Sequence, residues 1–162
     1  GSCSRATRGQ VAHHIAAGSP ALELDPEAVL AGATTPQDAA TWALKQDGLP
    51  LIYSSADPAR VRDVQSRHGT ETVAARLESF FAETARLLVA GGTMRLITAG
   101  GETSGAVVEG LAVERLEIGP EIDPGVPAVR VADDLVLALK SGNFGAENFF
   151  AKAAARLEGT VE

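Results

Sequence analysis

Apolar residues recur along this chain in two rhythms, and the rhythms alternate. The longest example of the first is TETVAARLESFFAETARLLVAGG (70–92), where Val73, Leu77, Phe80, Phe81, Ala85, Leu88 and Val89 fall at three- and four-residue steps. That spacing gathers them on one broad helical face and predicts the strongest helix of the chain. Weaker helical patterns are TRGQVAHHIAAG (7–18), DPEAVLAG (25–32), TPQDAATWALKQDG (35–48), DPARVRDVQSRHG (57–69), SGAVVEGLAVE (104–114) and AENFFAKAAARLEG (146–159). Asp25 and Thr35 each stand before a proline, a common helix entry, and Gly18, Gly32 and Gly48 close their helices. The second rhythm is short, apolar and partly β-branched: PALELD (20–25), LPLIYSS (49–55), MRLIT (94–98), RLEIGP (115–120), PAVRV (127–131) and LVLAL (135–139).

Strands therefore alternate with helices for most of the length. That order predicts an α/β domain, with a largely parallel sheet covered by helices on both faces in Rossmann-like layers, ending in an antiparallel pair or hairpin around ADD (132–134). Residues 1–162 read as one domain with no internal repeat or long linker. Phe149, Phe150 and Trp42 are expected in the core. The adjacent His13 and His14 lack the i, i+4 spacing of a metal pair and are expected at the surface.

Composition narrows the function classes. The chain is 45% hydrophobic and 22% charged with a formal net charge of −7, so no basic field exists to attract nucleic acid or anionic lipid. No apolar run approaches the roughly 20 residues of a membrane span. The one cysteine, Cys3, cannot form an internal disulfide, and the start lacks a signal-peptide pattern, which together fit a reducing, cytoplasmic setting. The chain opens without methionine on GSCSRATRGQ, which reads as the interior of a longer polypeptide; Gly1 and Ser2 as the remnant of a cleaved tag is the alternative.

Ligands of such sheets bind outside the carboxyl ends of the strands. Three glycine-rich turns are expected there: GSCS (1–4), AGGETSG (99–105) and KSGNFGAEN (140–148). Glycine lets the backbone approach a ligand, hydroxyls donate to phosphate oxygens, and helix N-termini favour anions. The three turns suggest a pocket for nucleotide phosphates. None matches G-x-x-x-x-G-K-[ST] or G-x-G-x-x-G, so a P-loop ATPase or a dinucleotide oxidoreductase loses support. A G-x-S-x-G elbow is absent as well. A non-catalytic nucleotide- or metabolite-binding module stays open beside the enzyme reading.

GSCSxxTxxQ, AGGETSGAVVEGL, IGPEIDPGVP and LALKSGNFGAENFF, in this order from Gly1 to Phe150, resemble the carboxyl-terminal, nucleotide-binding domain of the four-carbon acid sugar kinases. These are the 3-oxo-tetronate, threonate and erythronate kinases, and IGPEIDPGVP resembles the 3-oxo-tetronate branch. The resemblance implies an ATP-dependent kinase acting on the terminal hydroxyl of a four-carbon sugar acid. That acid is bound by a separate amino-terminal domain outside this chain, and the nucleotide lies between the two domains. It further implies that Ser2 or Ser4 touches phosphate, that Gly100, Gly101, Glu102, Thr103, Ser104 and Gly105 form the central phosphate turn, and that Ser141, Gly142, Asn143 and Gly145 close over ATP.

Phosphoryl transfer needs Mg²⁺ and a cation as well. Glu102 and Asp123 are the candidate metal carboxylates and Lys140 the candidate cation. Each has a plainer alternative: Glu102 as a favourable charge at a helix N-terminus, Asp123 as a turn former before proline, Lys140 as an ordinary strand-end lysine. The catalytic base, the particular acid and the oligomeric state, a homodimer included, are left open.

Overall fold

A computed structural model describes residues 4–54 and 58–159. They form seven helices and six strands, beginning with α1 (Arg5–Ala16), β1 (Ala21–Glu23), α2 (Pro26–Leu30), α3 (Pro36–Ala43) and β2 (Leu51–Tyr53). Next come α4 (Pro58–His68), α5 (Thr70–Ala90), β3 (Arg95–Ala99) and α6 (Gly101–Gly110). The chain closes with β4 (Glu117–Asp123), β5 (Val126–Ala132), β6 (Leu135–Lys140) and α7 (Phe149–Glu158).

Local chemistry explains the helix starts. Asp25 caps α2 by accepting from Glu27 N, and Thr35 forms a reciprocal capping box with Asp38 at α3. Both helices carry the proline in their first turn that the sequence places there.

The α/β class is as expected, with the strands divided between two sheets. β1 and β2 pair in parallel by themselves, while the second sheet runs β3-β6-β5-β4. β3 lies parallel to β6, and β6, β5 and β4 are antiparallel, so the expected terminal hairpin extends to three strands.

Helices cover both faces of the larger sheet. Side chains alternate along a strand, so Val136, Ala138 and Lys140 of β6 face one side and Leu135, Leu137 and Leu139 the other. Val136 and Ala138 pack with Phe149, Phe150, Ala153 and Leu157 of α7 and with Val11 of α1. On the opposite side α6 contacts β3 and β6, and α5 packs along α6. A second core gathers Leu24, Val29, Ala39, Phe80 and Phe81 beside the small sheet.

Phe149 and Phe150 are buried, as expected. Two expectations change. His14 is buried, with Nε2 at 3.3 Å from Pro20 O and its ring edge-on to Phe150; only His13 is exposed. A helix turns adjacent side chains about 100° apart, enough to send one into the core while the other stays in water. Trp42 is half-buried, because α3 turns its alanines Ala39, Ala40 and Ala43 inward.

Candidate functional site

Two of the three glycine-rich turns start side by side. Ala99 pairs with Lys140 at the carboxyl ends of β3 and β6, and Gly100 N donates to Lys140 O at 2.8 Å. Gly100 has φ 123°, a conformation that L side chains rarely adopt, and this lets the strand break directly into α6 at Gly101. At the N-cap position Gly100 there is no side-chain cap bond among the described residues. Thr98 Oγ1 and Ser104 Oγ lie 2.7 Å apart in a buried contact that ties strand end to helix start. Thr103 and Ser104 are thus buried, while Gly101, Glu102 and Gly105 are exposed. A glycine-surfaced, uncapped helix N-terminus offers an anion backbone N–H groups and the positive end of the helix dipole.

The third turn is held from beneath by α1. Ser4 caps that helix by accepting from Thr7 N at 3.1 Å, and its hydroxyl hydrogen-bonds to Gly142 O. Thr7 Oγ1 donates to the same carbonyl at 2.9 Å. Gln10, only 1% exposed, directs Nε2 at the carbonyls of Phe144, Gly145 and Ala146 at 2.9–3.0 Å. Ser4, Thr7 and Gln10 are spaced by three residues, so they rise along one face of α1 and meet residues 142–146 in sequence. The Oε1 atom of Gln10 is buried with no hydrogen-bond partner among the described residues. Gly145, at φ 83°, leaves no space for a side chain: a Cβ there would stand 2.7 Å from Phe149 Cδ2.

Lys140 is wholly buried at the end of β6. Its Nζ donates to Thr7 Oγ1 and Ser141 O at 3.0 Å and to Gly142 O at 3.2 Å, and stands 5.9 Å from the Phe149 ring centroid. Three donors meet three oxygens, which ties β6, the turn and α1 together. Burial, with no carboxylate partner among the described residues, pushes the ammonium down to about 8.

Asp123, 5% exposed at the end of β4, pairs with Lys152 of α7 and accepts from Ala146 N at 3.0 Å. The Lys152 bond first, and the Ala146 bond second, hold its carboxyl below the ordinary aspartate range. Both of its oxygens are committed to protein donors, an arrangement that does not fit a metal ligand. Among the described residues no group of three or more His, Cys, Asp and Glu side chains could hold a metal ion. Glu102, in the first turn of α6, is exposed.

Of the residues expected at the site, Ser4, the 100–105 turn, Lys140 and the 141–145 turn are brought to one edge; Ser141 and Asn143 are exposed there, and Gly142 and Gly145 are less open. Asp123 reaches the same turn from below through Ala146. Ser2 lies outside the described residues. Thr7 and Gln10 belong to the quoted GSCSxxTxxQ motif, but sequence reasoning gave them no contact with the 142–146 segment, and it missed Lys152. For the first two the signal was available, in small polar residues at i, i+3 and i+6 of a helix; Lys152 stands 29 residues from Asp123, and nothing local connects them.

Residues 1–150 match the model of a family described as the nucleotide-binding C-terminal domain. The chain is 47% identical over 163 residues to a 3-oxo-tetronate kinase of Pseudomonas savastanoi pv. phaseolicola, covering 99% of this chain and 38% of the relative. It is 46% identical over 161 residues to a 3-oxo-tetronate kinase of Pseudomonas fluorescens, covering 98% and 37% respectively. The crystal structure of a Haemophilus influenzae protein superposes with a TM-score of 0.88 at 33% identity, over 99% of this chain and 39% of that one. The chain thus spans under two fifths of the length of each.

Proposed function

Since the chain belongs to the nucleotide-binding C-terminal domain family of the four-carbon acid sugar kinases, we propose that it is the ATP-binding part of a kinase that phosphorylates the terminal hydroxyl of a four-carbon sugar acid, 3-oxo-tetronate being the acid named for its relatives. The sugar acid is held by an amino-terminal domain of the longer protein. The observation that carries this reading is the open, uncapped start of α6 behind Gly100, set against the 141–145 turn by the Gly100 N to Lys140 O bond.

Phosphoryl transfer asks a protein chiefly to position charge and to offset it. In this reading the backbone of Gly100, Gly101, Glu102 and Thr103 receives the phosphates at the positive end of α6, and Gly105 keeps the helix surface bare beside them. Ser104 holds the turn to β3 through Thr98. Ser141, Gly142, Asn143 and Gly145 border the nucleotide on the other side. Ser4 and Lys140 act on that border from below, fixing Gly142 O, and Asp123 fixes Ala146. Ser2 stands as a further phosphate contact. Mg²⁺ would neutralise phosphate charge, with Glu102 the carboxylate placed to hold it; ions of this kind bind through one or two carboxylates together with the phosphates.

The test is a calorimetric titration of the chain with Mg·ATP beside Gly101→Asp. A Cβ at Gly101 meets nothing within 4 Å, so the variant is expected to stay folded, with its circular dichroism unchanged, while an added negative charge stands where phosphate belongs. Saturable binding in the parent, weakened by about tenfold or more in the variant, supports the reading. Equal affinity in both proteins refutes it, and so does the absence of binding in the longer protein.

A further inference from the structure

Four of the five phenylalanines of this chain, Phe80, Phe81, Phe149 and Phe150, are buried. The fifth, Phe144, stands in the 141–145 turn and is 45% exposed. A ring left partly in water forgoes stabilisation that its burial would supply. Its place is fixed all the same. Phe144 N donates to Ser141 O at 3.2 Å and Phe144 O accepts from Gln10 Nε2 at 3.0 Å, so the backbone behind the ring is pinned from two sides.

The turn between β4 and β5 props the ring itself. A Cβ on Gly125 would stand 2.7 Å from Phe144 Cε1 and 3.0 Å from Cδ1, with Cζ next at 3.9 Å. The two near atoms are neighbours on one edge, so Gly125 meets the edge of the ring and leaves its faces clear. Gly125 N donates to Glu121 Oε1 at 3.1 Å, which steadies the prop. Any side chain at 125 would displace the ring. Among the described residues no other aromatic ring stacks on Phe144.

Position along the sheet gives this ring a use. Two antiparallel steps make β4 parallel to β6, so the β4–β5 turn lies at the same edge as the start of α6. The order β3-β6-β5-β4 sets it two to three strand spacings from β3, about 10–14 Å. An extended nucleotide bridges such a span. With its phosphates on the first turn of α6 and its sugar over the 141–145 turn, its base arrives at Phe144.

We propose that the exposed ring of Phe144 is the platform on which the base of the nucleotide stacks, with Gly125 holding the ring by its edge. The inference rests on the nucleotide-binding reading of this chain and adds the direction in which the nucleotide lies: phosphates over β3, base beside the β4–β5 turn. Stacking suits the chemistry on both sides, because a base presents a π face and an apolar surface to an aromatic ring. It also gives the gripped backbone of the turn a purpose, since a platform works only where it is held still.

Calorimetric titration of the longer protein with Mg·ATP and with Mg·tripolyphosphate, a phosphate chain without a base, tests this. Phe144→Ala removes the ring and keeps both backbone bonds, so circular dichroism should be unchanged. Its ATP affinity is expected to fall about tenfold or more, the effect of losing one base–aromatic stack, while its tripolyphosphate affinity stays that of the parent. Phe144→Trp should retain ATP affinity. The fluorescence of 2-aminopurine riboside triphosphate should be quenched on binding to the parent and not on binding to Phe144→Ala. Unchanged ATP affinity in Phe144→Ala overturns the proposal. An equal loss for ATP and tripolyphosphate overturns it too, by assigning the ring to the shape of the turn. So does quenching that survives the alanine, which places the base elsewhere. A parent that binds both ligands but is indifferent to residue 144 leaves the phosphate reading of the 100–105 turn intact, whereas a parent that binds neither removes that reading and this one together.

Discussion

The 100–105 and 141–145 turns look alike in sequence, each glycine-rich, hydroxyl-bearing and placed after a strand, yet the structure makes them opposites. The 141–145 turn is gripped: Ser4, Thr7, Gln10 and Lys140 hold its carbonyls, Asp123 holds the next N–H, and Gly145 is glycine because Phe149 fills the space behind it. The 100–105 turn is more open: Thr103 and Ser104 point inward, but Gly101 and Gly105 face open space, and the N-cap Gly100 has no side-chain cap bond among the described residues. Glycine therefore means tight packing in one turn and free access in the other. Access is what an anion requires, so on the proposed nucleotide reading the phosphates lie at the 100–105 turn and the gripped 141–145 turn forms the border beside them.

Gly145→Ala should break the comparison most severely. The residue has φ 83° and its Cβ would meet Phe149 and Gln10, so urea denaturation is expected to show a loss of about 3 kcal/mol from strain and overpacking together. Asp123→Ala should follow at about 2 kcal/mol, since it strands the Ala146 N–H and removes the Lys152 pair. Asp123 is depressed below the ordinary range, so its contribution is present above about pH 4 and is lost as the pH falls through its folded value; wild type and variant should converge in acid.

Lys140 gives a slope of the same sign in an alkaline window. Its folded value of about 8 lies below the ordinary 10.5, so between those pH values the unfolded chain holds a proton that the folded chain has released. Stability should rise with pH across that window by at most about 1.4 kcal/mol per unit, a slope missing from Lys140→Met in matched melts. Gly105→Ala should have the smallest effect on folding, a gain of about 0.5–1 kcal/mol as an exposed helical glycine is replaced. Its ATP affinity should nevertheless fall if nucleotide lies against that surface. A gain in both stability and affinity would erase the distinction between the two turns.

Much of the site was legible in the order of residues. MRLIT and LVLAL became β3 and β6, and their glycine turns stand where strand-to-helix corners must stand. The helix after the first of these begins at Gly101 rather than near Ser104, because Gly100 completes the turn alone. His14 could not be placed from its neighbours, since a helix turns adjacent residues to different environments and only the position of Phe150 and Pro20 decides which is inside. No helix among the described residues is long and apolar enough to cross a membrane, in keeping with the short apolar runs of the sequence.

By itself the sequence determined the alternating elements, the α/β class and the residue types at the nucleotide edge, because periodicity, capping and glycine conformation act within a few residues of chain. The tertiary structure alone decided that Lys140 and Asp123 hold the 141–146 segment and that Gln10 reaches Phe144, Gly145 and Ala146 more than a hundred residues away. Those outcomes depend on which groups meet in a low-dielectric interior, where a buried charge or amide must find partners supplied by distant segments.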